Sequence, residues 1–215
     1  MELTAVQQIA IWAIPIIFAI TLHEVAHGWV ASKFGDQTAK LAGRLTINPI
    51  KHIDLMGTIV VPILMLLMGG FIFGWAKPVP VDPRNMRNPR YNMVIVALAG
   101  PVSNLVMALF WAGIVKLGLN LNAWFGVPLI YMGQAGIMIN LVLCVLNCLP
   151  IPPLDGGRVL SNLLPGRLGW ILYRLEPYGF FIIILLMISG LFSFILRPAI
   201  AFLLEWITVL FGLSS

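Results

Sequence analysis

Long apolar runs restrict this chain more than any other feature. Stretches at about residues 6–31, 56–74, 92–117, 127–149 and 178–213 each reach the roughly 18 residues that a membrane-crossing helix requires. Only 10% of the 215 residues are charged and 60% are hydrophobic, whereas a soluble domain carries about 25% charged residues. The chain therefore belongs in a bilayer. The pattern predicts an all-α polytopic membrane protein, a bundle of about five to six transmembrane helices. Its length suits a single domain over 1–215, with a core at about 6–160 and C-terminal helices at about 178–213. No room is left for an appended soluble domain.

The connections carry the polar residues. Gly43-Arg44-Leu45-Thr46-Ile47-Asn48-Pro49 alternates briefly and predicts a short strand-like loop. Within Lys77-Pro78-Val79-Pro80-Val81-Asp82-Pro83, closely spaced prolines forbid helix and favour an extended segment. Arg197-Pro198 predicts a split of the last apolar region into two helices.

Charge counting selects a topology. If Met56–Gly74 crosses the bilayer, the thirteen cations divide six against seven. If it dips in and returns as a re-entrant hairpin, eleven share one face, with only Lys116 and Arg197 opposite. The positive-inside rule favours the second arrangement and makes the basic face cytoplasmic. Pro62, Gly69 and Gly70 suit a hairpin buried in protein. The N-terminus is then extracytoplasmic in a multi-pass protein of the cell membrane. The first eight residues lack the cations of a signal peptide, so the first segment is expected to be retained. Because the cations lie in short loops, the net charge of +5 reports orientation rather than a nucleic-acid partner. Cys144 and Cys148, four apart in one run, read as packing residues.

His23-Glu24-Val25-Ala26-His27 is the strongest chemical signal. Residues four apart share a helix face, so both imidazoles can reach one cation, with Glu24 placed to take a proton from water. Ionisable groups inside an apolar segment are costly and mark function. A catalytic zinc takes three protein ligands and leaves one position open, so one ligand remains to be found among Glu2, Asp36, Asp54, Asp82, Asp155, Glu176 and Glu205. Asp155 stands out. It follows an apolar helix within Pro152-Pro153-Leu154-Asp155-Gly156-Gly157, where the glycines permit close backbone approach. With a re-entrant hairpin, Asp155 also returns to the side of His23 and His27.

These features closely resemble the site-2 protease family of intramembrane metalloproteases, which joins a His-Glu-x-x-His helix to a later Asn-x-x-Pro-x-x-x-x-Asp-Gly motif. The second motif is present here as Asn147-Cys148-Leu149-Pro150-Ile151-Pro152-Pro153-Leu154-Asp155-Gly156. Ala99-Gly100-Pro101-Val102-Ser103-Asn104 is similar to the family's small-residue motif. Residues 74–81 look like the loop of a short, compact branch without a PDZ or CBS insertion. The resemblance implies one catalytic Zn2+ on His23, His27 and Asp155. It implies Glu24 as general base, and Asn147 as a group that orients substrate or stabilises the oxyanion. The expected reaction is hydrolysis of peptide bonds in or near transmembrane helices of a membrane-protein substrate, by zinc-activated water. The extended segment offers an edge on which an unwound substrate strand could pair.

Rival readings are weaker. His52 and Asp54 could bind a second metal or a membrane phosphate, but a solvated loop explains them more simply. Ser103 and Ser161 have no histidine left to activate them. Asn104 and Asn140 suit interhelical hydrogen bonding. A homo-oligomer is compatible with the sequence but not indicated by it.

Overall fold

The computed structural model describes residues 4–60 and 77–213. Helix α1 (Ala5–Lys33) starts from a reciprocal cap in which Thr4 and Gln7 each bond the other's backbone N–H. After the short α2 (Thr38–Leu41) come the long helices α3 (Pro89–Leu119) and α4 (Ala123–Cys148). Then follow α5 (Asp155–Leu163), α6 (Gly166–Leu175), α7 (Gly179–Ile188) and α8 (Leu191–Phe211). Val6–Lys33, Pro89–Leu119, Ala123–Cys148 and Leu191–Phe211 are long and apolar enough to cross a membrane. This is an all-α, multi-pass membrane protein.

Helix α3 is the centre of the bundle, packing against α1, α4, α5 and α8. Small side chains permit the approach: Ala108 and Ala112 on α3 are fully buried beside Trp111, Ile137, Leu141 and Ile207. Large apolar side chains such as Ile9, Phe110, Phe194 and Phe202 point outward. Water would penalise that surface, whereas lipid tails accept it. Amphipathic α6 stacks the Arg174 guanidinium 4.0 Å from the Trp170 ring centroid, as suits a helix lying at a membrane interface.

Three local expectations need adjustment or lie out of reach. Residues 43–48 form a turn and bends leading into a 3-10 turn at Pro49–His52, and no strand occurs among the described residues; Arg44 instead reaches across the loop to the Lys51 carbonyl. Most of the hairpin expected at Met56–Gly74 lies outside the described residues, which include only one wide helical turn at Leu55–Val60. The C-terminal region breaks at Gly190 (φ +74°) and not at Arg197-Pro198, which sits inside α8. Left-handed backbone ends a helix at once, while one proline costs a single backbone bond that a long apolar helix absorbs.

Residues 77–82 form no helix, as the prolines dictate. Asp36, fully buried, fastens this segment to the end of α1. Its carboxylate accepts from the Asp82 N–H (2.7 Å), Asn85 Nδ2 (2.9 Å), the Thr38 N–H (3.1 Å) and the Thr38 hydroxyl. Burial raises this carboxyl's pKa, but the four donors more than offset it and hold the group below the ordinary carboxylate range. Asp36→Ala would remove the acceptor of four part-buried hydrogen bonds, with an expected cost of about 2–3 kcal/mol. Thermal unfolding in detergent should show this as a lowered midpoint. The folded-state pKa is depressed, so the contribution is present above the unfolded pKa and fades as pH falls through the folded one. The gap between wild type and Asp36→Ala should therefore narrow in acid.

Candidate metal centre

Helices α1 and α3 meet in register through three rungs spaced four residues apart on each helix. His27 Nδ1 donates to the Val96 carbonyl (2.7 Å), and His23 Nδ1 to Asn104 Oδ1 (2.5 Å). Asn104 Nδ2 donates in turn to the Ala19 carbonyl (3.3 Å) and to Asn140 Oδ1 on α4 (3.0 Å), while Asn140 Nδ2 donates to the Gly136 carbonyl (2.9 Å). Val96, Gly100 and Asn104 thus share one face of α3. Gly100 sits opposite the imidazoles, where a Cβ would lie 2.6 Å from His23 Nε2. The small-residue motif makes room for two rings.

The third residue arrives from α5. Gly156 and Gly157 pack so closely that a Cβ on either would overlap the backbone at 148–149 or 151–152. The chain can therefore double back after α4 and set Asp155 against α1. Its Oδ2 lies 3.1 Å from His23 Nε2 and 3.3 Å from His27 Nε2, and the two Nε2 atoms are 3.1 Å apart. All three residues are buried.

The donor set fits a zinc ion. Carbonyl and amide oxygens only accept, so they fix the proton of each neutral imidazole on Nδ1 and leave a lone pair on Nε2. Asp155 Oδ2 is buried and has no hydrogen-bond donor. Three acceptor atoms thus converge without a proton between them, an arrangement that needs a cation. Tetrahedral zinc with bonds of about 2.0–2.2 Å sets its ligand atoms roughly 3.3–3.5 Å apart, close to the observed triangle. Among the described residues, His23, His27 and Asp155 form the one group able to hold a metal in this way.

Beside the cluster lies a cavity of about 300 Å³, lined in part by Glu24, Val79, Val81, Asn147 and Arg158. Half-buried Glu24 accepts from the Val79 N–H (2.8 Å) through Oε2. Asn147 gives one amide proton to the Leu143 carbonyl (3.0 Å) and keeps another. Arg158 is ion-paired with Glu176 (3.0 Å).

The rival residues fall elsewhere. His52 is buried rather than solvated, its Nε2 3.0 Å from the Thr46 carbonyl, and Asp54 accepts from the Gly57 N–H (2.7 Å). Ser103 and Ser161 donate to carbonyls of their own helices. Cys144 and Cys148 are unlinked. Sequence reasoning missed the Val96 carbonyl, the ligand contact of Asn104, the Val79 N–H and Arg158. Only Arg158, one helical turn after Asp155, carried a signal that could have exposed it.

The Asn104 contact makes a measurable prediction. Asn104→Leu removes the acceptor that orients His23 and is expected to weaken zinc binding roughly 10- to 100-fold. Asn104→Asp keeps an acceptor oxygen and should recover part of that loss in competition with a chelator of known affinity.

Comparison with known proteins agrees with this geometry. The model of peptidase family M50 matches residues 11–123 and 122–190. The candidate zinc metalloprotease YwhC of Bacillus subtilis is 43% identical over 189 residues, covering 86% of this chain and 83% of YwhC. The candidate zinc metalloprotease Rip2 of Mycolicibacterium smegmatis is 31% identical over 176 residues, 80% of this chain and 64% of Rip2. The zinc metalloprotease MJ0392 of Methanocaldococcus jannaschii is 24% identical over 164 residues, 74% of this chain and 37% of MJ0392. No solved structure matches the chain significantly. With a family match running from residue 11 to residue 190, this chain belongs to peptidase family M50, the site-2 protease family of zinc metalloproteases.

Proposed function

We propose that this zinc metalloprotease cuts peptide bonds in or beside transmembrane helices of other membrane proteins. In this reading His23, His27 and Asp155 hold the zinc, Glu24 is the general base, and Asn147 donates to the oxyanion. The observation that carries it is the depth of the cluster. At 1.5 Å per residue, His27 and His23 sit about 9 and 15 Å inside the Lys33 end of the spanning helix α1. A cavity opens beside them.

Zinc at this site supplies Lewis acidity that brings the pKa of water to about 7. The protein's own part is placement. Glu24 receives the proton of the attacking water and returns it to the leaving amine. The Val79 N–H holds one carboxylate oxygen and leaves the other toward the cavity. Asn147 offers its remaining amide proton to the charge that develops on the scissile carbonyl. A substrate helix must unwind first, because helical bonding occupies its carbonyls. The extended segment 77–82 then offers an edge for the opened strand. Since the Val79 N–H is taken by Glu24, Val81 is the position to test. Val81→Pro should slow cleavage several-fold at unchanged zinc content. With residues 56–74 re-entrant, eleven cations share one face, and the positive-inside rule supports a site toward the cytoplasmic side of the cell membrane, with the N-terminus outside.

The test is cleavage of purified single-span substrates by wild type, by metal-stripped protein and by protein reloaded with zinc. Cleavage should vanish on stripping and return on reloading. A span with central glycine or proline should be cut at least about tenfold faster than polyleucine, since it unwinds more cheaply. A zinc-loaded protein that cuts none of a varied panel would overturn the proteolytic reading. One that cuts soluble peptides but no spans would overturn the intramembrane part.

A further inference from the structure

A second polar pocket, of about 370 Å³, lies where α1 ends and α3 begins. Lys33 and Arg87, both exposed, stand at its rim, and the start of α3 faces it. Asn88 occupies the N-cap of α3 without a side-chain cap bond, and the Arg90 and Tyr91 N–H groups of the first turn have no acceptor among the described residues. This end of a 31-residue helix therefore presents free donors and the positive end of its dipole. Asn92 supplies a separate indication. It is 6% exposed and lines the pocket, and its side-chain amide has no hydrogen-bond partner among the described residues. What remains accessible of Asn92 opens to the pocket, so its amide is available to a molecule bound there. The neighbouring carboxylate, Asp36, is turned to Thr38, Asp82 and Asn85 with both oxygens engaged. Arg90 is also committed elsewhere, to the Asn162 and Leu164 carbonyls.

We infer that this pocket binds a negatively charged phosphate group, and that the headgroup of an anionic phospholipid supplies it. Two cations, free helix N–H groups and a side-chain amide make a donor-rich set with no carboxylate turned toward it, which suits phosphate oxygens. Depth points to lipid. Helices of 29 and 31 residues exceed the roughly 20 that span the hydrocarbon, so their ends reach the headgroup layer. Trp29 is exposed one turn before Lys33, whose Nζ lies 5.3 Å from its ring centroid, a pairing typical of the interface. Asn92 is one turn before Val96, whose carbonyl holds His27. The headgroup site therefore adjoins the helix pair that carries the metal centre.

The test titrates the full chain, purified in neutral detergent, with short-chain phosphatidylglycerol, phosphatidylcholine or inorganic phosphate, and counts bound molecules by native mass spectrometry. Phosphatidylglycerol should bind in preference to phosphatidylcholine. The pair K33Q/R87Q should weaken it roughly tenfold or more. Lys40 and Arg167 are exposed cations away from the pocket, so K40Q/R167Q should leave it unchanged. Asn92→Leu, which alters no charge, should weaken it several-fold at wild-type zinc content. If a pocket variant fails to fold, K33Q alone and Asn92→Leu still decide the matter. Equal binding of the two lipids would overturn the inference, as would equal losses in pocket and control pairs. Inorganic phosphate binding as tightly as phosphatidylglycerol, with the same dependence on Lys33 and Arg87, would keep the phosphate site and overturn its assignment to lipid.

Discussion

Glu24→Gln is expected to lower cleavage by roughly 10³-fold while zinc content stays at the wild-type level. The substitution is nearly isosteric, and the glutamine carbonyl can still accept from the Val79 N–H that Glu24 now engages at 2.8 Å. Position and packing are preserved, and only the capacity to take a proton is lost. Glu24 is also outside the group of three residues that can hold a metal, so its neutralisation removes no ligand. Glu24→Asp should fall between the two, because it keeps a base but withdraws it by one methylene. Metal content by elemental analysis and cleavage of a single-span substrate are read on the same preparations. Loss of zinc in Glu24→Gln would reassign Glu24 as a ligand, and cleavage within tenfold of wild type would remove it as the base.

Much of the centre was legible because it depends on period and composition. Two histidines four apart on one helix face the same way in any α-helix, and three ionisable groups in an apolar run are too costly to be idle. Asp155 could be read because a Pro-Pro-Leu-Asp-Gly-Gly turn leaves few conformations, and the glycines at 156 and 157 do stand where no Cβ fits. The carbonyl of Val96 and the N–H of Val79 could not be read. Every residue has these groups, and only the register of α1 against α3, or the path of 77–82 past Glu24, decides which of them reach the site.

The same distinction explains the local misreadings. Alternation at 43–49 suggested a strand, but a strand needs a partner with free backbone groups, and the loop closes on itself through Arg44 instead. Proline at 198 was a sound breaker in principle, yet the stronger signal was Gly190, whose positive φ stops the chain's helical path. Buried His52 looked like a solvated loop residue because nothing local announces that a loop will be covered. Local patterns specified elements and the three residues that cluster well, whereas contacts between elements depended on packing that only the assembled bundle defines.

Gly100→Ala is expected to weaken zinc binding by about two orders of magnitude, although residue 100 touches no ligand directly through a side chain of its own. A methyl group there would lie 2.6 Å from His23 Nε2 and closer still to His27 Nε2, so both rings must move. Neither is free to do so cheaply, because their Nδ1 atoms are held at 2.5 and 2.7 Å by Asn104 and Val96 on the same helix face. Moving the rings breaks those bonds or opens the triangle with Asp155, and loss of orienting contacts alone costs 10- to 100-fold in metal affinity. Gly113, farther along α3, is the internal control. A Cβ there meets its nearest neighbour, Phe211 Cε1, at an ordinary 3.9 Å, so Gly113→Ala should be neutral or slightly stabilising by removing a flexible residue from a helix. Zinc affinity by chelator competition and thermal midpoint are measured on both variants. A Gly100→Ala protein that binds zinc as wild type does would mean that the two helices are not packed as tightly at this rung as the site requires.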